Sequence, residues 1–80
     1  MQTIFIWVKC ELGRTYSVAA DAVESVEQVS EVHSVSGEWD LLMKCFLADD
    51  ADIGHFVGES IQSLDGIKDT FTTITFKAFA

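Results

Sequence analysis

Residues 3–10 read Thr-Ile-Phe-Ile-Trp-Val-Lys-Cys and residues 41–47 read Leu-Leu-Met-Lys-Cys-Phe-Leu. Both runs are rich in β-branched and aromatic side chains and hold no breaker, so each reads as a strand. Side chains alternate across a strand. In the first run Ile4, Ile6, Val8 and Cys10 point one way, and Phe5, Trp7 and Lys9 the other. In the second, Leu41, Met43, Cys45 and Leu47 oppose Leu42, Lys44 and Phe46. A sheet built from these strands is apolar on both faces, aliphatic on one and largely aromatic on the other. A chain of 80 residues must cover both with little material. At this size about 60% of the unfolded chain's surface is buried on folding, so a single core gives limited stability, and small domains commonly rely on a staple or a partner.

The remaining elements follow from local signals. Gly13 closes a turn after the first strand, and Thr15 is the expected cap of a helix. Tyr16, Ala19, Ala20 and Val23 recur at helical spacing, which predicts the buried stripe, with Asp21, Glu24 and Glu27 on the other side. A second strand is expected over 31–36. Asp49 and Asp50 offer a cap and a favourable charge for a second helix, whose stripe is Ile53, Phe56, Val57, Ile61 and Leu64. Gly66 ends that helix, and a last strand is expected over 67–78. An internal echo supports the order β-α-β-β-α-β. Glu-Ser-Val at 24–26 and Glu-Ser-Ile at 59–61 lie 35 positions apart (59 − 24), and the same offset relates Val26 to Ile61, Val29 to Leu64 and Val32 to Ile67. Two such halves give an α+β, ferredoxin-like fold in one domain over 1–80. Its sheet is four-stranded and antiparallel, in order 4-1-3-2, with two helices on one face.

Two helices on one face leave the other face bare. That face carries Phe5, Trp7, Leu42, Phe46 and Phe71, and aromatic side chains expose about 150–250 Å² each when uncovered. Sheet-against-sheet self-association is therefore expected. Lys9, Lys44 and Lys77 fall on the same face, either as the rim of an interface or as stems lying over a solvated surface. Gly54 and Gly58 cost a helix about 1 kcal/mol each relative to Ala. Their spacing suggests that the first helix or a neighbouring subunit packs close to them.

Charge narrows the function. Thirteen acids against five bases give a net charge of −8, which repels phosphate backbones and anionic headgroups, and no basic stripe suggests a nucleic-acid groove. No stretch approaches the roughly 20 apolar residues of a membrane span, and the N-terminus lacks the basic region of a signal peptide. A cytoplasmic protein is expected. Cys10 and Cys45 sit in apolar runs outside any CxxC spacing and read as buried free thiols; a disulfide between them stays open at this level. His33 and His55 have no neighbouring nucleophile, Asp49, Asp50 and Asp52 read as a helix start rather than metal ligands, and no cofactor or metal is called for.

Two places carry more polar chemistry. Val-Ser-Gly-Glu-Trp-Asp-Leu-Leu (35–42) sets Asp40 and Trp39 at the lip of an apolar strand. Asp-Thr-Phe-Thr-Thr-Ile-Thr (69–75) holds four threonines in seven residues. Threonine is an ordinary strand residue and Asp40 an ordinary turn acid. Alternatively the hydroxyls, the loop N–H groups and the carboxylate together suit a free amino acid, which carries both charges.

His-Ser-Val-Ser-Gly-Glu-Trp-Asp-Leu-Leu-Met-Lys (33–44) resembles the V-x-G-x-[YFW]-D-hydrophobic signature of the Lrp/AsnC effector domain, also called the RAM domain. Leu-Asp-Gly-Ile-Lys-Asp-Thr-Phe-Thr-Thr (64–73) is similar to its later L-x-G-V-x-x-T-x-T segment. The resemblance spans nearly the whole chain, with Asp65 where the family often has Pro and Trp39 in place of Tyr or Phe. It implies dimers of the α/β-barrel type formed sheet to sheet through Phe5, Trp7, Leu42, Phe46 and Phe71, and octamers built from four such dimers. It implies amino-acid effectors at contacts between dimers, with Gly37, Trp39 and Asp40 in the effector loop and Thr70, Thr72, Thr73 and Ile74 nearby. The chain begins directly in its first strand, without the helix-turn-helix region of full-length relatives. It therefore resembles a stand-alone effector module that acts on transcription by joining or competing with full-length Lrp/AsnC regulators. The competing enzyme reading is a cofactor-independent monooxygenase of the antibiotic-biosynthesis type, which would use His33, His55 or Trp39 around an aromatic substrate between sheet and helices. A third is an ACT-like sensor, which builds side-by-side sheets.

Overall fold

The computed structural model of the chain describes residues 1–80. Strand β1 (Gln2–Cys10) leads into helix α1 (Thr15–Ser25), then β2 (Val29–Ser34) and β3 (Leu41–Leu47). Helix α2 (Ile53–Phe56) continues into a π-helical stretch (Val57–Ile61), and β4 (Ile67–Ile74) completes the sheet. The strands lie in the order β2-β3-β1-β4, antiparallel throughout, which is the expected ferredoxin-like arrangement.

The aliphatic parity of β1 and β3 forms the core. Ile4, Ile6, Val8, Cys10, Leu41, Met43, Cys45 and Leu47 are all buried, together with Val18, Ala22, Val26, Phe56, Val57 and Ile61 from the helical layer and its connections. No polar or charged side chain is buried, so stability rests on apolar area removed from water, about 1.5–3 kcal/mol for each fully buried large aliphatic. The internal echo is also a packing echo. Val26 and Ile61 are buried, and Val29, Leu64, Val32 and Ile67 pack against the same core. The two copies differ in where the strand begins: Val29 opens β2, whereas Leu64 still lies in the turn before β4, which Ile67 opens.

Four local expectations are corrected. Thr15 is the first helical residue of α1, and Arg14, which occupies the cap position, makes no side-chain cap hydrogen bond. The inward stripe of α1 is Val18, Ala22 and Val26, with Ala19 partly covered, while Tyr16, Ala20 and Val23 face solvent. Both stripes have helical period. The structure turns Val18, Ala22 and Val26 toward the sheet and leaves Tyr16, the one large side chain of the two stripes, in solvent. At the second helix Asp52, not Asp49 or Asp50, is the cap, its carboxylate accepting the His55 N–H at 3.0 Å. The outer strands are also shifted: β2 spans Val29–Ser34 rather than 31–36, and β4 stops at Ile74 rather than 78. Ile74 is already opposite Ile4, and after Thr75 bonds to Thr3 the neighbouring strand has almost run out.

Gly54 and Gly58 are exposed, and no other part of the chain approaches the place where a Cβ at Gly58 would sit. Packing of α1 against this pair is therefore ruled out. Gly66 is the reverse case. Its φ is +94°, and a Cβ there would stand 3.0 Å from Val18 Cγ2 and 3.1 Å from Arg14 Cβ. Its carbonyl accepts the Glu11 N–H at 2.7 Å, and the neighbouring Asp65 takes a 2.8 Å ion pair from Arg14, which holds the Asp65 carboxyl below its ordinary range. The two crossover connections are thus clasped together at one end of the helical layer. Cys10 and Cys45 are free thiols. Cys45 faces Ile4, six residues along β1 from Cys10, a separation of roughly 20 Å that no disulfide spans. Burial pushes the Cys45 thiol up to about 11.

Replacing Gly66 by Ala combines left-handed backbone strain of about 1–2 kcal/mol with overpacking of about 1–3 kcal/mol. Gly37, also at positive φ but with nothing within 4 Å, carries only the first cost. Urea denaturation is expected to show Gly66→Ala as the more damaging of the two by at least about 1 kcal/mol; equal losses would remove the packing role assigned to Gly66.

Candidate ligand-binding site

The β2–β3 hairpin ends in the loop that carries Gly37, Glu38, Trp39 and Asp40. Gly37 has φ +97°, the conformation that lets the chain reverse between Val35 and Asp40, where the Val35 N–H donates to the Asp40 carbonyl at 3.0 Å. Asp40 then locks the loop to the end of β1. Its N–H donates to the Val8 carbonyl at 2.9 Å, and its Oδ2 accepts the Cys10 N–H at 2.8 Å. The signature aspartate therefore has a structural duty: it satisfies a strand-end amide that would otherwise lack a partner. It also contributes, after burial, to raising the Cys10 thiol.

Beside this clasp is an open recess lined by Lys9, Cys10, Glu11, Glu38, Asp40 and Lys68. Its lining brings three acidic residues, Glu11, Glu38 and Asp40, together with two lysines. Trp39 turns away from the recess, over the bare face of the sheet. Its ring lies 6.2 Å from that of Phe71, centroid to centroid, and the Lys9 Nζ sits 6.0 Å from its centre. The lysines of the recess, Lys9 and Lys68, have no place in the motif reading; their strand positions next to the hairpin are the signal that identifies them.

The threonine segment is divided by the sheet. Thr70, Thr72 and Ile74 stand opposite Val8, Ile6 and Ile4, on the helix side; Phe71 and Thr73 stand opposite Trp7 and Phe5, on the bare side. Thr75 donates its N–H to Thr3, and hydrogen-bonded pairs alternate along an antiparallel ladder. Thr72 and Ile74 are therefore out of phase with the ladder, and their backbone N–H and C=O groups point outward from the sheet edge. Thr70 shares that phase; its N–H is taken by its neighbour's carboxylate, Asp69 Oδ1, and its hydroxyl accepts from Gln62 Nε2, both at 2.8 Å. Of the threonines of β4, Thr70, opposite Val8, is the one nearest the Asp40 end of the sheet. Ile74 lies four residues further along, about 13 Å away, so the two groups of motif residues do not converge on one pocket of a single chain.

The Lrp/AsnC ligand binding domain family matches residues 3–80. The chain belongs to that family. An uncharacterised HTH-type transcriptional regulator of Pyrococcus furiosus is 32% identical over 76 residues, which are 92% of this chain and 51% of that protein. The chain thus spans about half the length of the curated relatives it matches. A crystal structure of a protein from Thermus thermophilus superposes with a TM-score of 0.89 at 31% identity, covering 100% of this chain and 99% of that one. The complex of a Neisseria meningitidis transcriptional regulator with L-Met shares the fold, with a TM-score of 0.84 at 24% identity over 99% of this chain and 52% of that one.

In this Lrp/AsnC domain the bare face is continuous. Across the strands it presents His33, Leu42, Trp7 and Phe71 in one row and Glu31, Lys44, Phe5 and Thr73 in the next. Phe46 and Phe71 are exposed, and Phe5, Trp7 and Leu42 half-buried. Lys44 lies against Phe46 and within 3.7 Å of Glu31, and Glu31 is held below the usual carboxylate range chiefly by its bond to His33. His33 is on this face at the β2 edge, His55 is exposed on α2, and Trp39 covers the β1–β4 side. The three do not meet, so the residues of the monooxygenase reading form no common site. No cluster of three or more His, Cys, Asp or Glu side chains is placed to hold a metal, and no helix is long and apolar enough to cross a membrane.

Asp40→Ala removes the acceptor of the Cys10 N–H, at a cost of about 1–3 kcal/mol for the orphaned amide. Asp40→Asn keeps an acceptor in place. Thermal and urea unfolding are expected to find the Asn variant close to wild type and the Ala variant clearly weaker; an Ala variant of wild-type stability contradicts the clasp.

Proposed function

We propose that this domain binds a free amino acid at the hairpin recess and that chain association completes the site. Only Oδ2 of Asp40 is engaged, by the Cys10 N–H. The bond fixes the carboxylate beside the recess and leaves Oδ1 to accept from a ligand, which suits an ammonium group. Lys9 and Lys68 line the same recess and suit the carboxylate of the same molecule. The outward-pointing amides of Thr72 and Ile74 become part of the site when a second chain brings its β4 edge to the hairpin, together with Thr70, Thr73 and the loop residues Gly37 and Trp39. The L-Met complex of the Neisseria regulator supports an amino-acid ligand and makes methionine one member of the panel to test.

The bare sheet face, with Phe5, Trp7, Leu42, Phe46 and Phe71, is the surface through which two chains pair, and pairs assemble further to an octamer. As an effector module with no basic surface and a net charge of −8, it acts on transcription through other chains of its family, by joining or displacing them, rather than by gripping DNA itself. Its regulators govern amino-acid metabolism, and the cytoplasm is its place of work.

Calorimetry with the twenty amino acids is expected to find at least one ligand for the wild-type chain and, for Asp40→Asn, a Kd weaker by about ten-fold or more at unchanged melting temperature. Absence of any ligand, or full affinity in Asp40→Asn, rejects the assignment. Independently, Trp7→Glu puts a charge into the bare face and is expected to sediment as a smaller species than wild type; an unchanged mass rejects that face as the pairing surface.

A further inference from the structure

The hairpin recess holds more charge than the two backbone ends of an amino acid use. Lys9, Glu11, Glu38, Asp40 and Lys68 all line it. The four ion pairs of the chain lie elsewhere, so none of these five groups is paired with another. Arg14, three residues beyond Glu11, is taken by Asp65 at 2.8 Å. The backbone is irregular at the same place. Lys9 stands opposite Asp69 and Cys10 opposite Ile67, which makes Lys68 the extra residue of a β-bulge. Bulges re-aim a side chain at the end of a sheet, and this one sets Lys68 beside the recess. The main chain of Glu11 is held on both sides: its N–H donates to the Gly66 carbonyl at 2.7 Å, and its carbonyl accepts the Arg14 N–H at 3.0 Å. Leu12, fully exposed, supplies the apolar part of the rim.

We infer that the recess selects a basic amino acid, of the lysine, arginine or ornithine kind, whose side-chain cation is held by Glu11 and Glu38. This rests on the amino-acid reading of the recess and adds the side-chain class. The balance of charge decides it. Three carboxylates against two ammonium groups leave the lining with one negative charge in surplus. The α-ammonium and α-carboxylate of any amino acid cancel, so a neutral ligand leaves that surplus in place and an acidic ligand doubles it. A basic ligand removes it. The net charge of −8 on the whole chain acts in the same direction, gathering cations and repelling anions. The groups divide in the same way. Asp40 takes the α-ammonium and the two lysines the α-carboxylate, which leaves Glu11 and Glu38 unmatched. Shape agrees with charge. Cys10 and Leu12 are the apolar walls of the recess, too few to enclose a branched aliphatic side chain. Leu12 is enough for a methylene stem to lie along while its charged end stays in water.

Calorimetry on the full chain tests this by comparing lysine with norleucine, which has the same stem without the terminal ammonium, and with glutamate. Lysine is expected to bind roughly five-fold tighter than norleucine, the upper scale of a surface ion pair, with glutamate the weakest of the three. The ratio of lysine to norleucine affinity is expected to shrink as salt is raised. Glu11→Gln combined with Glu38→Gln is expected to bring that ratio close to one. Glu24→Gln combined with Glu27→Gln makes the same change in net charge at the other end of α1 and is expected to keep the ratio. All four of these glutamates are exposed, so both double variants are expected to melt as the wild type does. Norleucine binding as tightly as lysine, with its affinity still lost in Asp40→Asn, overturns the basic class and leaves the amino-acid reading standing. A ratio unchanged by the Glu11 and Glu38 substitutions, or lost equally with those at Glu24 and Glu27, overturns the role of the recess carboxylates. Binding of no amino acid at all overturns this inference together with the reading beneath it.

Discussion

One sheet with two helices can be covered on one side only. Every buried side chain of this domain lies between the sheet and its helical layer or at the joins of that layer, and nothing of the chain's own lies over the other face. The strands nevertheless place Phe5, Trp7, Leu42 and Phe71 there in register. Exposed aromatic surface of that extent is unfavourable in water, so the fold of one chain is energetically unfinished. The hairpin is anchored to the end of β1 and not to the helices, Trp39 leans over the uncovered side, and the β4 edge keeps backbone groups unpaired. Each of these features lies on or beside the surface that the helices do not reach.

The division of labour around Asp40 follows from this. A carboxylate at a hairpin end has two oxygens, and the strand-end amide of Cys10 uses one of them. The same residue thereby fixes the loop and points a charge outward, without a buried ion and its desolvation cost. The recess stays shallow within one chain because the other motif residues lie along β4, on the far side of β1.

Legibility in the sequence differs by element. β1 and β3 are clear because their strict alternation admits only one inward parity, and β3 ends where the sequence pattern does. The ferredoxin-like order is clear from the echo between residues 24–32 and 59–67. The phase of α1 is not, because the helix is apolar on two sides, and periodicity alone does not rank Tyr16 and Val23 below Val18 and Ala22. The choice depends on how the helix docks on the sheet, a tertiary quantity. Asp49, Asp50 and Asp52 compete for one cap within four positions, and a cap's identity is set by where the helix turns inward. The pattern overestimates β4 because Phe76 and Phe79 suit a strand but have no neighbour left to pair with. At the site, the motif points to the hairpin loop and the β4 segment. It is silent on Lys9 and Lys68, whose proximity comes from the sheet, and on the separation of Thr73 from Thr70, Thr72 and Ile74, which alternation alone already implies.

Trp39 belongs to two neighbourhoods at once. It is covalently next to Asp40, yet its ring rests by Phe71 and under Lys9. Lys9 in turn lines the recess. A ligand in the proposed site that drew Lys9 toward itself would take the cation from the indole. Linkage makes that exchange reciprocal: whatever favours one arrangement of the ring for docking also biases capture of the small molecule, by the same free energy. Were both proposals to hold, this single indole ring would be the element through which occupancy and assembly communicate.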